Sequence, residues 1–152
     1  MTLDDVFSRL WDIDHAAQKL LRDAGFSYDT GFAENVCLPS DDPDCRFRKE
    51  SAELLLEPLE EMHEQLSYLK APASREYVLQ RFPGGRYGYL DEKGYRHPFT
   101  CGHMLEAMVD DGYGHPRWVR ARIEHDGSGY FLHGHREIPL DGLSIRERRC
   151  HG

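Results

Sequence analysis

Trp118-Val119-Arg120-Ala121-Arg122-Ile123-Glu124-His125-Asp126-Gly127-Ser128-Gly129-Tyr130-Phe131-Leu132 sets the class of the second half of the chain. Val119, Ala121 and Ile123 alternate with Trp118, Arg120 and Arg122, a period of two that predicts a half-buried strand. Asp126-Gly127 supplies the positive φ angles a tight turn needs, and Tyr130-Phe131-Leu132 provides a return strand. The pattern is a β-hairpin.

Working outward, the same period recurs. Tyr77 and Leu79 alternate with Val78 and Gln80, and Pro83-Gly84-Gly85 turns the chain into Arg86–Leu90. Asp91-Glu92-Lys93-Gly94 makes a second turn, and further strands are predicted at 95–99, 104–109 and 143–148. Short strands at the spacing of a meander, joined by Gly-rich turns, predict a small SH3-like antiparallel β-barrel of five or six strands. An open sheet packed by helices is the alternative.

Toward the N-terminus the period changes. Thr2 followed by Asp5 resembles a capping box, and Leu3, Val6, Leu10, Ile13, Ala17 and Leu20 recur at steps of three and four. Helix 1 is predicted over 3–24, with Gly25 at a left-handed C-cap. Residues 25–43 form a long connection whose Phe26, Tyr28, Phe32 and Cys37 suit a segment packed on the body, with a short helical turn in it. Leu55, Leu59, Met62, Leu66 and Leu69 place helix 2 at roughly 44–70, with a kink at Pro58 or a start nearer residue 52. The expected architecture is α+β: residues 1–71 an acidic antiparallel helical hairpin, packed on a β-barrel of residues 72–152.

Charge is divided unevenly between these halves. Residues 1–70 hold 16 acidic and 7 basic side chains, whereas residues 71–152 hold 11 and 12, within a chain of net charge -8. A field of that sign repels phosphates and attracts cationic surfaces, so the helical half is read as meeting a protein partner with a basic surface, such as a nucleic-acid enzyme. The N-terminus lacks a basic start and an apolar run, which predicts a cytoplasmic protein with no membrane contact, and Cys37, Cys45, Cys101 and Cys150 are expected as thiols.

Four constellations compete for function. Asp41, Asp42, Asp44, Glu53, Glu57, Glu60, Glu61 and Glu64 form an acidic face that is either the solvated side of an amphipathic helix or a phosphate-like docking surface. Arg117, Trp118, Arg120, Arg122 and Tyr130 mix cations with aromatic faces, as nucleic-acid binders do, but Glu106, Asp110, Asp111, Glu124 and Asp126 bring that half close to neutral, against direct nucleic-acid binding. Cys37, Cys45, Cys101, His103, Cys150 and His151 include enough thiolates and imidazoles for a zinc site, without the usual close ligand pair. Cys101-Gly102-His103 is the sole nucleophile-base candidate, and no hydrolase signature surrounds it.

Phe99-Thr100-Cys101-Gly102, Leu105-Glu106-Ala107, Trp118 to Glu124, Tyr130 and Leu140-Asp141-Gly142-Leu143 together resemble a small uncharacterised domain family of Gram-positive conjugative elements and prophages. That resemblance implies a β-barrel and a mobile-element origin, where small acidic proteins block host defences, anti-CRISPR proteins among them. It carries no catalytic residues. The expectation is a non-enzymatic binding module that needs no cofactor, acts by stoichiometric inhibition of a defence effector such as a CRISPR nuclease, and has nucleic-acid binding as the alternative.

Overall fold

The computed structural model describes residues 1–110, 112 and 114–149. The chain divides into two compact units, Met1–Lys70 and Ala71–Gly152.

In the first unit, α1 spans Leu3–Ala24. The Thr2 hydroxyl accepts the Asp5 N–H while the Asp5 carboxylate accepts the Thr2 N–H, so two orphan donors of the first turn are satisfied. Gly25 ends the helix at φ 62°, its N–H bonded to the Leu21 and Arg22 carbonyls. In place of the expected helical turn, the connection folds into a two-stranded hairpin, β1 (Phe26–Ser27) and β2 (Phe32–Ala33).

The second helix, α2, spans Pro43–Lys70 with Pro58 inside it, so it begins well before the later start near residue 52. The ring costs the Leu54 carbonyl its helical donor, at a residue whose surface is exposed. The helices run antiparallel: Trp11 lies beside Lys70, Asp14 meets His63, and Leu21 packs with Leu56. Their joint core is small, built on Leu21, Ala24, Ala33 and Leu56.

In the second unit, eight strands follow: β3 (Tyr77–Val78), β4 (Gln80–Arg81), β5 (Tyr87–Leu90), β6 (Arg96–Pro98), β7 (Met104–Val109), β8 (Arg117–His125), β9 (Tyr130–Leu132) and β10 (Ser144–Arg146). They form two open antiparallel sheets, ordered β3-β10-β7-β8-β9 and β4-β5-β6. The order departs from a meander because β10 returns to lie between β3 and β7, where Ile145 pairs with Ala107 and is fully buried. Leu79 separates β3 from β4, so one extended segment feeds both sheets, and its N–H and C=O are satisfied by Leu143 and Gly142. Leu79, Tyr89, Phe99, Leu105, Ile123 and Leu132 belong to one core shared by the two sheets.

The β8–β9 turn is pinned by its aspartate. Asp126 Oδ1 accepts the Ser128 and Gly129 N–H groups, Arg136 donates to Oδ2 at 2.7 Å, and Gly127 takes φ 89°. The Arg136 guanidinium, with the Ser128 hydroxyl and N–H, holds the Asp126 carboxyl far below its usual range.

Gly88 is required for a different reason, close approach. A Cβ there would lie 2.2 Å from the His97 carbonyl oxygen and 2.7 Å from Phe82 Cε2. Gly88→Ala is expected to destabilise the β unit by about 3 kcal/mol, against about 0.5 kcal/mol or less for Gly129→Ala, whose Cβ meets nothing within 4 Å. Urea unfolding followed by tryptophan fluorescence checks this, and equal losses would contradict the packing described.

Candidate functional site

The rotational setting of α2 decides which carboxylates meet solvent. Leu56 and Leu66 turn inward, and Glu53 turns in with them, 8% exposed, accepting the Ala33 N–H at 2.9 Å with Lys49 Nζ 3.9 Å away. One glutamate of the acidic row is therefore an internal strut holding β2 to the helix. Glu57, Glu61 and Glu64 follow at steps of four and three and are exposed, with Glu60 half-buried beside them. These residues form one continuous stripe.

The three aspartates before the row have local partners. Asp42 caps α2 by accepting the Cys45 N–H at 2.8 Å, and the Ser40 hydroxyl also donates to it. Those bonds hold its carboxyl below the usual range. Asp41 pairs with Arg46 at 2.8 Å, and Asp44 is exposed in the first turn of α2.

Tyr28 reports the field of the stripe. Its hydroxyl donates to Glu61 Oε1 at 3.5 Å, and its pKa is pushed up first by the Glu61 charge, then by partial burial and by the charges of Glu57 and Glu64. Three glutamates thus act on one phenol from the connection. Tyr28 is a probe of the stripe that periodicity alone does not reveal, since it lies 33 residues from Glu61.

The alternative nucleic-acid set divides between two faces. On β8, Trp118, Arg120 and Arg122 share the outer face, whereas Arg117 has the opposite parity and Tyr130 packs against the core. Across the outer face Arg120 stands opposite Glu106, which stands opposite Arg146. Glu106 is 4% exposed and accepts from Nε of both Arg146 and Arg148 at 2.6 Å each, while the Arg146 guanidinium lies 4.2 Å over the Trp118 ring. Arg122 pairs with Glu124 at 2.8 Å. Much of the arginine-aromatic material is engaged within the unit.

The sulfur and imidazole candidates are dispersed. Cys37 and Cys45 line one hollow of about 230 Å³ in the first unit, and Cys45 Sγ lies 3.3 Å from the Ser40 hydroxyl. In the second unit, the Cys101 thiol points to Glu124 at 3.4 Å, whereas His103 Nε2 bonds Glu147 at 2.6 Å and its ring stacks on Phe99. Neighbouring in sequence, Cys101 and His103 take different partners. Among the described residues no three His, Cys, Asp or Glu side chains gather as metal ligands; Cys150 and His151 lie outside the described residues.

Two buried polar clusters lie beyond the sequence-based expectations. Asp14, 8% exposed, lies 3.0 Å from Nδ1 of His63, whose Nε2 faces the Ser67 hydroxyl at 3.5 Å. This pair ties the two helices together. In the β unit, Tyr89 stacks on Tyr77 and His97 and donates to Glu147; burial first, then the Glu147 charge, pushes its phenol up to about 12.

Residues 77–146 match a family model described as a domain of unknown function (DUF5348). The match opens on the first residue of β3 and closes on the last of β10, so the matched region and the two open sheets coincide. Neither a curated protein nor a solved structure matches the chain. Among the described residues no helix is long and apolar enough to cross a membrane.

Because negative charge raises the Tyr28 pKa, its phenol keeps its proton to higher pH than an ordinary tyrosine. Any stability linked to it is present below the ordinary value and is lost as pH climbs through the raised one. Glu61→Gln should return the titration of Tyr28, followed by NMR of ring-labelled tyrosine and assigned with Tyr28→Phe, toward the ordinary range. An unchanged titration would show that the stripe is not the source of the field.

Proposed function

We propose that the chain is a non-enzymatic, stoichiometric protein-binding module whose α2 stripe docks into the basic groove of a nucleic-acid enzyme. The observation that carries this reading is the exposure of Glu57, Glu61 and Glu64 at steps of four and three along α2, with the Tyr28 hydroxyl donating to Glu61. Along α2 successive carboxylates recur about every 5 Å, a spaced row of anions on one side of a rod. Such a row presents to a cationic groove what a nucleic-acid backbone presents.

The resemblance to a mobile-element family supports a host defence effector, such as a CRISPR nuclease, as the partner and inhibition as the outcome. In this reading the β unit supplies shape, and the shared core of its two sheets supports an SH3-like arrangement. The outer face of β8, with Trp118, Arg120 and Arg122, is the second candidate surface: it would make the module a nucleic-acid-binding accessory. The ion cluster around Glu106 weighs against it, because phosphates would compete with a buried internal carboxylate for Arg146 and Arg148.

Co-purification from a host extract at moderate salt, followed by identification of what stays bound, tests the proposal. Wild type is expected to retain one basic protein, with retention falling as salt rises. Reversal of Glu57, Glu60, Glu61 and Glu64 to lysine is expected to weaken it by roughly 100-fold or more, since like-charge juxtaposition at an interface costs several kcal/mol. Undiminished retention by the reversed variant would rule out the stripe as the docking surface.

A further inference from the structure

Beside the acidic stripe, the same helix lines an apolar groove. Phe7 and Leu10 of α1 and Pro58, Met62, Leu66 and Leu69 of α2 enclose a volume of about 360 Å³, with Glu61 on its edge. Of the stripe, Glu61 lines the groove, with Glu57 one turn before it and Glu64 one turn after it on the same side of α2.

The apolar seams are wider than the hairpin covers. On α1, Val6, Ile13 and Leu20 recur every seven residues and are 38%, 53% and 50% exposed. On α2, Leu55 and Leu69 flank Met62 at the same interval and are 72% and 47% exposed. A strict repeat of three and four on both helices is the pattern of residues that seat between other helices, yet here half of it faces solvent. Large apolar area bordered by charge marks an interaction surface.

Charge decides the occupant. A second copy would bring up another helical unit of 16 acidic against 7 basic side chains, like charge upon like charge. A helix with an apolar stripe flanked by lysine and arginine would instead satisfy both surfaces at once, its apolar side chains in the groove and its cations on Glu57, Glu61 and Glu64. From Pro58 to Leu69 the groove runs roughly 17 Å, about three helical turns. We infer that the element received by this protein is a basic amphipathic helix of the partner, seated in the α1–α2 groove; the inference deepens the docking reading above and rests on it.

The test uses the full chain and a fluorescent 15-residue peptide, with leucines at positions i, i+3, i+4 and i+7 and lysines elsewhere, beside a scrambled peptide of identical composition. The patterned peptide is expected to bind about tenfold or more tightly than the scrambled one, the difference that burying even one leucine makes. Leu69→Ser, at an exposed position in the last turn, and the double change Met62→Ser with Leu69→Ser should bring that ratio to near one with the helical circular dichroism intact. Equal binding of both peptides to wild type would overturn the groove while leaving the acidic docking reading in place. Binding of neither would overturn both, and a dimer in sedimentation equilibrium that excludes the patterned peptide would assign the groove to a second copy.

Discussion

The buried carboxylate of Glu53 is the constraint from which the presentation of α2 follows. A carboxylate removed from water needs donors, and this one has the Ala33 N–H with Lys49 nearby. Because β2 is thereby fixed to the helix, the connection that carries Tyr28 is fixed too, and the phenol arrives at Glu61. With Leu56 and Leu66 also inward, the remaining glutamates of the helix turn outward on one side of the groove. An amphipathic helix normally needs one apolar stripe; α2 carries a buried set, a solvent-facing apolar seam and an acidic stripe, three surfaces around one rod.

The β unit handles its charges in the opposite manner. Where α2 turns Glu57, Glu61 and Glu64 to solvent, the outer face of β7, β8 and β10 pairs its carboxylates: Glu106 with Arg146 and Arg148, and Glu124 with Arg122. Arginine's fork suits such clusters, since Nε and the terminal nitrogens can serve different acceptors, and Arg148 also donates to the Ala71 carbonyl. The near-neutral composition of this half thus corresponds to local pairing, and the acidity of the other half to a stripe.

Elements set by local chemistry are legible in the sequence. The Thr2–Asp5 box and Gly25 mark both ends of α1, the three-four repeat marks α2, and Asp126-Gly127 marks the β8–β9 turn. Pairings made by distant residues are not. Nothing near Ser144 announces that β10 will lie between β3 and β7, because alternation fixes which side faces inward and leaves the neighbour open. The α+β class follows from the change of period, whereas the open sheets, in place of a predicted closed barrel, depend on how the segment around Leu79 divides between two partners. At the candidate site the glutamate row is readable as a helical face, but the inward turn of Glu53, the capping role of Asp42 and the approach of Tyr28 each depend on a fold-specific neighbour.

If recognition lies on α2, binding must leave its mark there and nowhere on the β sheets. Amide hydrogen exchange of the full chain, free and bound to the basic protein it retains, measures this residue by residue. Slowed exchange confined to 57–69 of α2 and the facing turns of α1 is the predicted result. Slowed exchange centred on Trp118, Arg120 and Arg122, with α2 unaffected, would contradict it.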